Sequence, residues 1–327
     1  MLSKPAATAL ETVVIDAGGR YGMHPSWQKY EGEIRYVLFE PDTREAQRLA
    51  EKYAGAKSIE VVAQALSEKP GHLTINVLRH RGQSTAFVPN LEAAWFDRTR
   101  RGEGDIVDRY EATATTVDLF CGEHGIAVDF MKIDTEGSEF AVLRGATSQL
   151  RANVLGLLCE LHFDEVYIGA PRFPDIYGLL HGAGFLLLNL DYTGAGAHFG
   201  PFFDGPRYGI LSGCDSVWVR SPQKVLRTAP PEQIVKYAAF CMRNHATDLA
   251  LHVLGSAAGD PRVDLKRFAN TKLMHGLDVA VQHLFYRLSH KPRYEFEFLD
   301  STYHKIFGRR LKPMHEFFES DEVNPGA

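Results

Sequence analysis

The repeated alternation of short apolar runs with helix-forming segments constrains this chain more than any other feature. Thr12 to Ile15 is a β-branched run that breaks into Asp16-Ala17-Gly18-Gly19 before a segment able to start a helix, which reads as strand, tight turn and helix. Arg35 to Phe39 forms a second run, ends at Glu40-Pro41-Asp42 and leads into REAQRLAEKY, rich in helix formers. Ile59 to Ala63 reads as a third strand, and Leu73 to Leu78 as a hairpin-like strand after the turn signal Lys69-Pro70-Gly71. Val128 to Ile133 and Val154 to Leu161 are apolar enough to be buried on both faces, as central parallel strands are. Phe185 to Leu190 and Ser216 to Val219 complete the set. Strands separated by helices predict an α/β fold, a doubly wound and mostly parallel sheet with ligands bound beyond the carboxyl ends of its strands.

A chain of 327 residues is longer than one core readily fills, since single cores stop growing near ~250 residues. A main domain over residues 1–221 and a mainly helical extension over 222–327 are therefore expected. After Ser221-Pro222 the segments PPEQIVKYAAFCMRNHATDLALHVLG and LMHGLDVAVQHLFYRLSH carry helical spacing and few strand signals. The terminal aromatics, from Tyr294 and Phe298 through Tyr303 and Phe307 to Phe317 and Phe318, suit a helical cap on the main domain, with a homodimer contact or a substrate-pocket wall as other roles. The connection from Arg79 to Thr113 shows little regular signal and holds Arg79, Arg81, Arg98, Arg100 and Arg101. It reads either as a solvated charged loop or as a lid meeting an anionic or sugar substrate.

The charge balance, 36 basic against 41 acidic residues, gives no field across the surface to attract nucleic acid or an anionic membrane. Four cysteines, Cys121, Cys159, Cys214 and Cys241, lie far apart without a CxxC pair, which argues against a zinc knuckle or disulfide framework and fits a reducing cytoplasm. No run approaches the ~20 apolar residues of a membrane span.

The turn Asp16 to Gly22 would let backbone N–H groups approach a ligand closely. As a dinucleotide fingerprint AGGRYG is only approximate, with Ala17 in place of the first glycine, and an acidic Asp16 directly before it is more typical of S-adenosylmethionine sites. Glu40 closes the second strand, where a carboxylate can accept from both ribose hydroxyls of an adenosine; helix capping is the alternative use. Gln64 and Ala65 follow the third strand, where they would border an adenine ring.

The segment Val128-Asp-Phe-Met-Lys-Ile-Asp-Thr-Glu-Gly-Ser-Glu-Phe-Ala-Val-Leu-Arg-Gly-Ala146 resembles the signature of the FkbM family of methyltransferases, approximately DFxKxDxEGxExxVLxGA. It is joined in order by VVIDAGGRYG, FEPD, VVAQALSEKPGHLTI, TTVDLF and LLCELH, so the resemblance covers about residues 12 to 221. It implies a class I methyltransferase (Rossmann-like) fold, a seven-stranded sheet whose last strand is antiparallel, and O-methylation of a hydroxyl on a sugar, glycan or natural-product acceptor. Two departures stand out. Gly19-Arg20 replaces the more usual Ala-Asn, and the chain after residue 222 resembles nothing named.

The expected cofactor is S-adenosylmethionine, touched by Asp16, Ala17, Gly18, Gly19, Gly22, Glu40, Pro41, Gln64, Ala65 and Asp134. A hydroxyl acceptor must lose its proton, and the strand-end candidates are Asp134, Glu136, Glu139, Glu160 and His162. Asp134 is expected at the cofactor face and His162 or Glu136 near the acceptor, with a structural histidine and, for Glu139, a helix-start carboxylate as the alternatives. Lys132 is expected to pair with one of these acids. No metal is favoured; the alternative is magnesium or manganese held by Asp134, Glu136, Glu160 and His162. The rival readings are a nicotinamide-dependent oxidoreductase and a non-catalytic S-adenosylmethionine-binding protein. A nucleic-acid methyltransferase is disfavoured, since the chain has no NPPY-type tetrapeptide, Pro-Cys motif or basic stripe.

Overall fold

In the computed structural model, residues 12–28, 34–97, 102–191, 196–197, 209–260, 263–265, 275–276, 278–279 and 293–308 are described. The β-branched run at the start becomes strand β1, Thr12–Ala17, with all six residues buried. That burial is possible because parallel neighbours flank it on both sides: β2, Ile34–Phe39, and a later strand, Phe130–Ile133. The other strands of the sheet are β3, Ile59–Val62; Gly156–His162; Phe185–Asp191; and Gly213–Arg220.

Numbered in chain order with the two strands of a smaller sheet, β4 (Gly71–Leu78) and β5 (Ile106–Thr115), these become β6 (Phe130–Ile133), β7 (Gly156–His162), β8 (Phe185–Asp191) and β9 (Gly213–Arg220). The seven-stranded order is β8-β9-β7-β6-β1-β2-β3. The last strand, β9, runs antiparallel to both neighbours, while β3, β2, β1, β6 and β7 are mutually parallel. Strand order reverses beside β1, which makes the crevice above β1 and β6 the natural ligand position.

Register decides what meets there. Ala17 pairs with Phe39 and with Ile133, and Ile133 pairs with Cys159. The residues that follow these partners, Gly18, Glu40, Asp134 and Glu160, therefore leave the sheet at one edge. Beneath it, Ile15, Val37, Phe39, Met131, Ile133, Leu157 and Trp218 form one buried cluster with helix residues such as Phe120, Val142, Leu150 and Leu180.

The smaller sheet corrects two expectations. Leu73 to Leu78 is not part of a local hairpin: β4 pairs antiparallel with β5, thirty residues on, and β5 also pairs with Ala65–Leu66. The stretch from Arg79 to Thr113 is thus not irregular throughout, because Ile106–Thr115 is a ten-residue strand. Arg79 pairs with Asp105 at 3.1 Å, whereas Arg98, Arg100 and Arg101 lie outside the described residues.

Two compact units divide between Ser221 and Pro222. The second contains helices Pro222–Thr228, Pro231–Arg243, Thr247–Ala258 and Arg293–Phe307. In it the Tyr303 hydroxyl donates to Asp278 Oδ1, and the Tyr303 and Phe307 rings lie 4.6 Å apart. Phe317, Phe318 and the side chains of Tyr294 and Phe298 lie outside the described residues. No described helix is long and apolar enough to cross a membrane.

Candidate active site

The glycine turn is built for close packing. Gly18 has φ +87°, and a Cβ there would lie 1.8 Å from the Asp134 carbonyl oxygen. The expectation that the turn lets backbone N–H groups approach a ligand closely is corrected for Gly18, Gly19 and Gly22, whose N–H groups bond within the chain. Gly18 N and Gly19 N both donate to Phe39 O, at 3.2 and 3.1 Å, and Gly22 N donates to Gly19 O at 2.7 Å. The first two donors pin the turn onto β2 and the third closes it on itself, and the helix that follows is a four-residue piece, Pro25–Gln28.

Behind the turn lies a buried ionic knot. Lys132 Nζ lies 3.3 Å from Asp16 Oδ1 and 3.1 Å from Asp134 Oδ2, and it donates to Gly18 O at 3.1 Å. The ends of β1 and β6 are tied through one ammonium. Asp16 is fully buried, accepts from the Tyr36 hydroxyl, and has its carboxyl raised by that burial against the pull of Lys132. Asp16, Ala17, Gly19 and Gly22 line neither cavity described below.

Gly18, Glu40, Pro41, Gln64, Ala65 and Asp134 are brought together around a cavity of about 670 Å³. Glu40 Oε1 accepts from Asp42 N at 2.9 Å, and Arg20 reaches Glu40 at 4.0 Å and Asp42 at 3.3 Å. Burial pushes the Glu40 carboxyl up to about 7. The capping alternative falls to its neighbour: Asp42, not Glu40, accepts from Arg44 N and Glu45 N at the start of helix Thr43–Lys52. Arg81, one of the arginines of the expected lid, lines this cavity, whereas several lining residues escaped sequence reasoning, among them Ile75 and Tyr110 from the smaller sheet and Thr85 from the segment between β4 and β5. Alternation within Leu73 to Leu78 was the available signal for Ile75; nothing local singled out Tyr110.

A second cavity, of about 1050 Å³, shares Gly18, Arg20, Gly82, Asp134 and Glu136 with the first and continues to Glu160, His162 and Asp215. Glu160 and His162 are alternate residues of β7 and so face the same way. Asp215 sits opposite Glu160 across the β7–β9 ladder. Glu136 follows β6 with φ +54°; its carbonyl accepts from Thr85 Oγ1 at 2.5 Å and its carboxylate from the Tyr167 hydroxyl. Burial raises both the Glu136 and Glu160 carboxyls, helped by repulsion from Asp134 at Glu136 and from Glu136 and Asp134 at Glu160, while burial lowers the His162 imidazole to about 4. Glu139 turns away from both cavities. Its Oε1 accepts from Thr135 N and Oγ1, at 2.7 and 2.9 Å, and its Oε2 from Gly137 N at 3.0 Å, locking the loop that carries Asp134 and Glu136.

Such a site should leave a signature in stability. Glu40 and Glu139 are both raised to about 7 in the fold, against an ordinary 4.5. The folded state therefore binds their protons more tightly, and stability from them is present at low pH and lost as pH rises through 7, by about 1.4 kcal/mol per group per pH unit between the two values. His162 works oppositely, costing stability below its ordinary 6.5. The melting temperature of the ligand-free chain is expected to rise as pH falls from 8 to 6; a flat or falling curve would show these carboxyls to be unshifted.

Comparisons with known proteins identify the family of the sequence. A family model described as the Methyltransferase FkbM domain matches residues 16–187, just over half of the chain. Solved structures with similar folds include a methyltransferase FkbM from Methylobacillus flagellatus (16% identity, TM-score 0.38, 66% of this chain and 45% of that one). Others are a TehB-like SAM-dependent methyltransferase from Corynebacterium glutamicum (12%, 0.31, 64% and 80%) and a SAM-dependent methyltransferase from Aquifex aeolicus (13%, 0.30, 65% and 83%). The chain spans less than half the length of the first of these. No curated protein matches it significantly. On the family match and the fold it sits in, the chain belongs to the family of methyltransferase FkbM domains.

Proposed function

We propose that this chain transfers a methyl group from S-adenosylmethionine to a hydroxyl of a small-molecule, sugar or glycan acceptor, with the cofactor in the smaller cavity and the acceptor in the larger. One observation carries the reading: the two cavities meet at Gly18, Asp134 and Glu136, so groups held in each would face one another across a shared wall. The cofactor, when bound, supplies a methyl group on a cationic sulfonium.

The chain's own residues do the positioning. Glu40 is 3% exposed yet borders the cavity, and its carboxylate suits a ribose diol, while Pro41, Gln64 and Ala65 border the adenine. Asp16, Ala17, Gly19 and Gly22 hold the turn from behind. Asp134, 40% exposed at the junction and anchored by Lys132, places negative charge beside the sulfonium. His162 or Glu136 faces the acceptor and takes the hydroxyl proton as oxygen gains the methyl group, a contribution worth roughly 10²–10⁴-fold. A wall of carboxylates also suits the hydroxyls of a polyol, which donate to it.

The direct test is calorimetric titration with S-adenosylmethionine, S-adenosylhomocysteine and NAD(H) in parallel. Binding of the first two alone is expected, and binding of NAD(H) alone would overturn the reading. Glu40→Ala should weaken S-adenosylhomocysteine binding by about 1–3 kcal/mol through loss of charged hydrogen bonds, leaving turnover at saturation largely intact. Unchanged affinity would remove Glu40 from the ribose.

A further inference from the structure

We propose that Glu136, Glu160 and His162 hold a divalent cation of the Mg²⁺/Mn²⁺ class on the wall of the larger cavity, where it binds the acceptor oxygen. The proposal deepens the methyl-transfer reading and rests on it for the acceptor's role, though the cation site itself rests on geometry alone. One ligand atom from each residue can be chosen so that all three lie within 4.8 Å of one another. Around an octahedral ion with bonds of about 2.1 Å, ligand atoms stand about 3 Å apart when adjacent and about 4.2 Å apart when opposite, and at least two of the three pairs must be adjacent, so the triad draws in by up to about 1.8 Å when the ion binds.

Two of the three groups are also unfulfilled as they stand. The His162 side chain is 8% exposed, and its nearest ionic neighbour is Glu160 Oε1 at 3.9 Å, too far for a hydrogen bond. Glu160 Oε2 is buried with no hydrogen-bond partner among the described residues. The nearby cations are committed elsewhere: Lys132 to Asp16 and Asp134, and Arg20 to Glu40 and Asp42. Burying two carboxylates beside an imidazole without a counter-charge is costly, and a divalent ion removes that cost.

Two features are those of a built site. The Tyr167 hydroxyl donates to Glu136 Oε2, as outer partners orient metal ligands. Glu136 keeps a left-handed φ that non-glycine residues rarely adopt, the kind of strain found where a side chain must be aimed. Two carboxylates and one imidazole match the hard-to-borderline preference of manganese and magnesium. The remaining coordination positions open to the cavity, where an acceptor hydroxyl bound to the ion would lose its proton more readily.

The test is Mn²⁺ binding to the full chain after chelator treatment, read by loss of the free-ion electron paramagnetic resonance signal, with S-adenosylhomocysteine affinity measured on the same samples. One Mn²⁺ per chain is expected, displaced by excess Mg²⁺. Glu160→Gln and His162→Asn, whose side chains line only the larger cavity, should each weaken Mn²⁺ binding more than about tenfold while S-adenosylhomocysteine binding is kept. A chain that binds S-adenosylhomocysteine but no Mn²⁺, or binds Mn²⁺ equally in both variants, overturns the cation site and leaves methyl transfer standing. Mn²⁺ binding without S-adenosylhomocysteine binding does the reverse.

Discussion

Gly18→Ala should yield little folded protein, with a stability loss of about 4 kcal/mol or more. Gly18 adopts φ +87°, a region where an L side chain costs roughly 1–2 kcal/mol, and that is the smaller part. The new Cβ would stand 1.8 Å from a backbone oxygen, that of Asp134, and no rotamer change relieves such a contact. Nor can the oxygen retreat, because Asp134 N is bonded to Ala17 O at 3.0 Å and the Asp134 carboxylate is held by Lys132. Losses of this size come from few mechanisms, and backbone strain at a special φ is one. Gly122→Ala is the control. Gly122 lies inside helix Val117–His124, and a Cβ there meets nothing within 4 Å, so the change should stabilise by about 0.5–1 kcal/mol. Urea unfolding of both variants reads the difference. A Gly18→Ala protein that unfolds with its parent would mean that β1 and β6 can spread apart at the site.

How far the sequence reveals this arrangement depends on whether the relevant contact is local. Strands β1, β2, β6 and β7 announce themselves because a strand buried on both faces must be apolar throughout, and Val14, Val37, Met131 and Leu157 obey. Their ends follow from them, which is why Gly18, Glu40, Asp134 and His162 could be placed at one edge of the sheet. Strand β5 escaped for the opposite reason. Its first half is mainly exposed, so no buried face imposes alternation, and its pairing with β4 depends on residues some thirty positions away. Tyr110 reaches the smaller cavity on that strand and was invisible for the same cause. Asp16 and Glu139 show a different limit. Each is a carboxylate in a ligand-like position, and each is consumed by the protein: Asp16 by Tyr36 and Lys132, Glu139 by the Thr135–Gly137 loop. Residue type and spacing identify a carboxylate near a strand end; only the partners decide whether it faces ligand or scaffold.

Those partners also set the last expected result, that Asp134→Asn and His162→Ala each lower turnover by roughly 10²–10⁴-fold while S-adenosylhomocysteine affinity changes far less. Asparagine keeps the shape at position 134 but removes the charge nearest the junction of the two cavities, and Lys132 keeps Asp16 as a partner, so the fold should survive. An interaction made mainly in the transition state lowers kcat and kcat/KM together and leaves ground-state binding in place. His162 packs edge-on against Tyr167 with ring centroids 5.3 Å apart, so His162→Ala also opens a void; near-parental melting must accompany the loss of turnover if the imidazole acts on the acceptor. Because burial lowers His162 to about 4, the ring is neutral throughout the physiological range, and the pH profile of kcat should show no inflection near 6.5. An inflection there, abolished in His162→Ala, would place a solvated imidazole in the reaction. Full turnover in both variants would instead move the proton to Glu160 or Glu136, two of the other acids lining the same cavity.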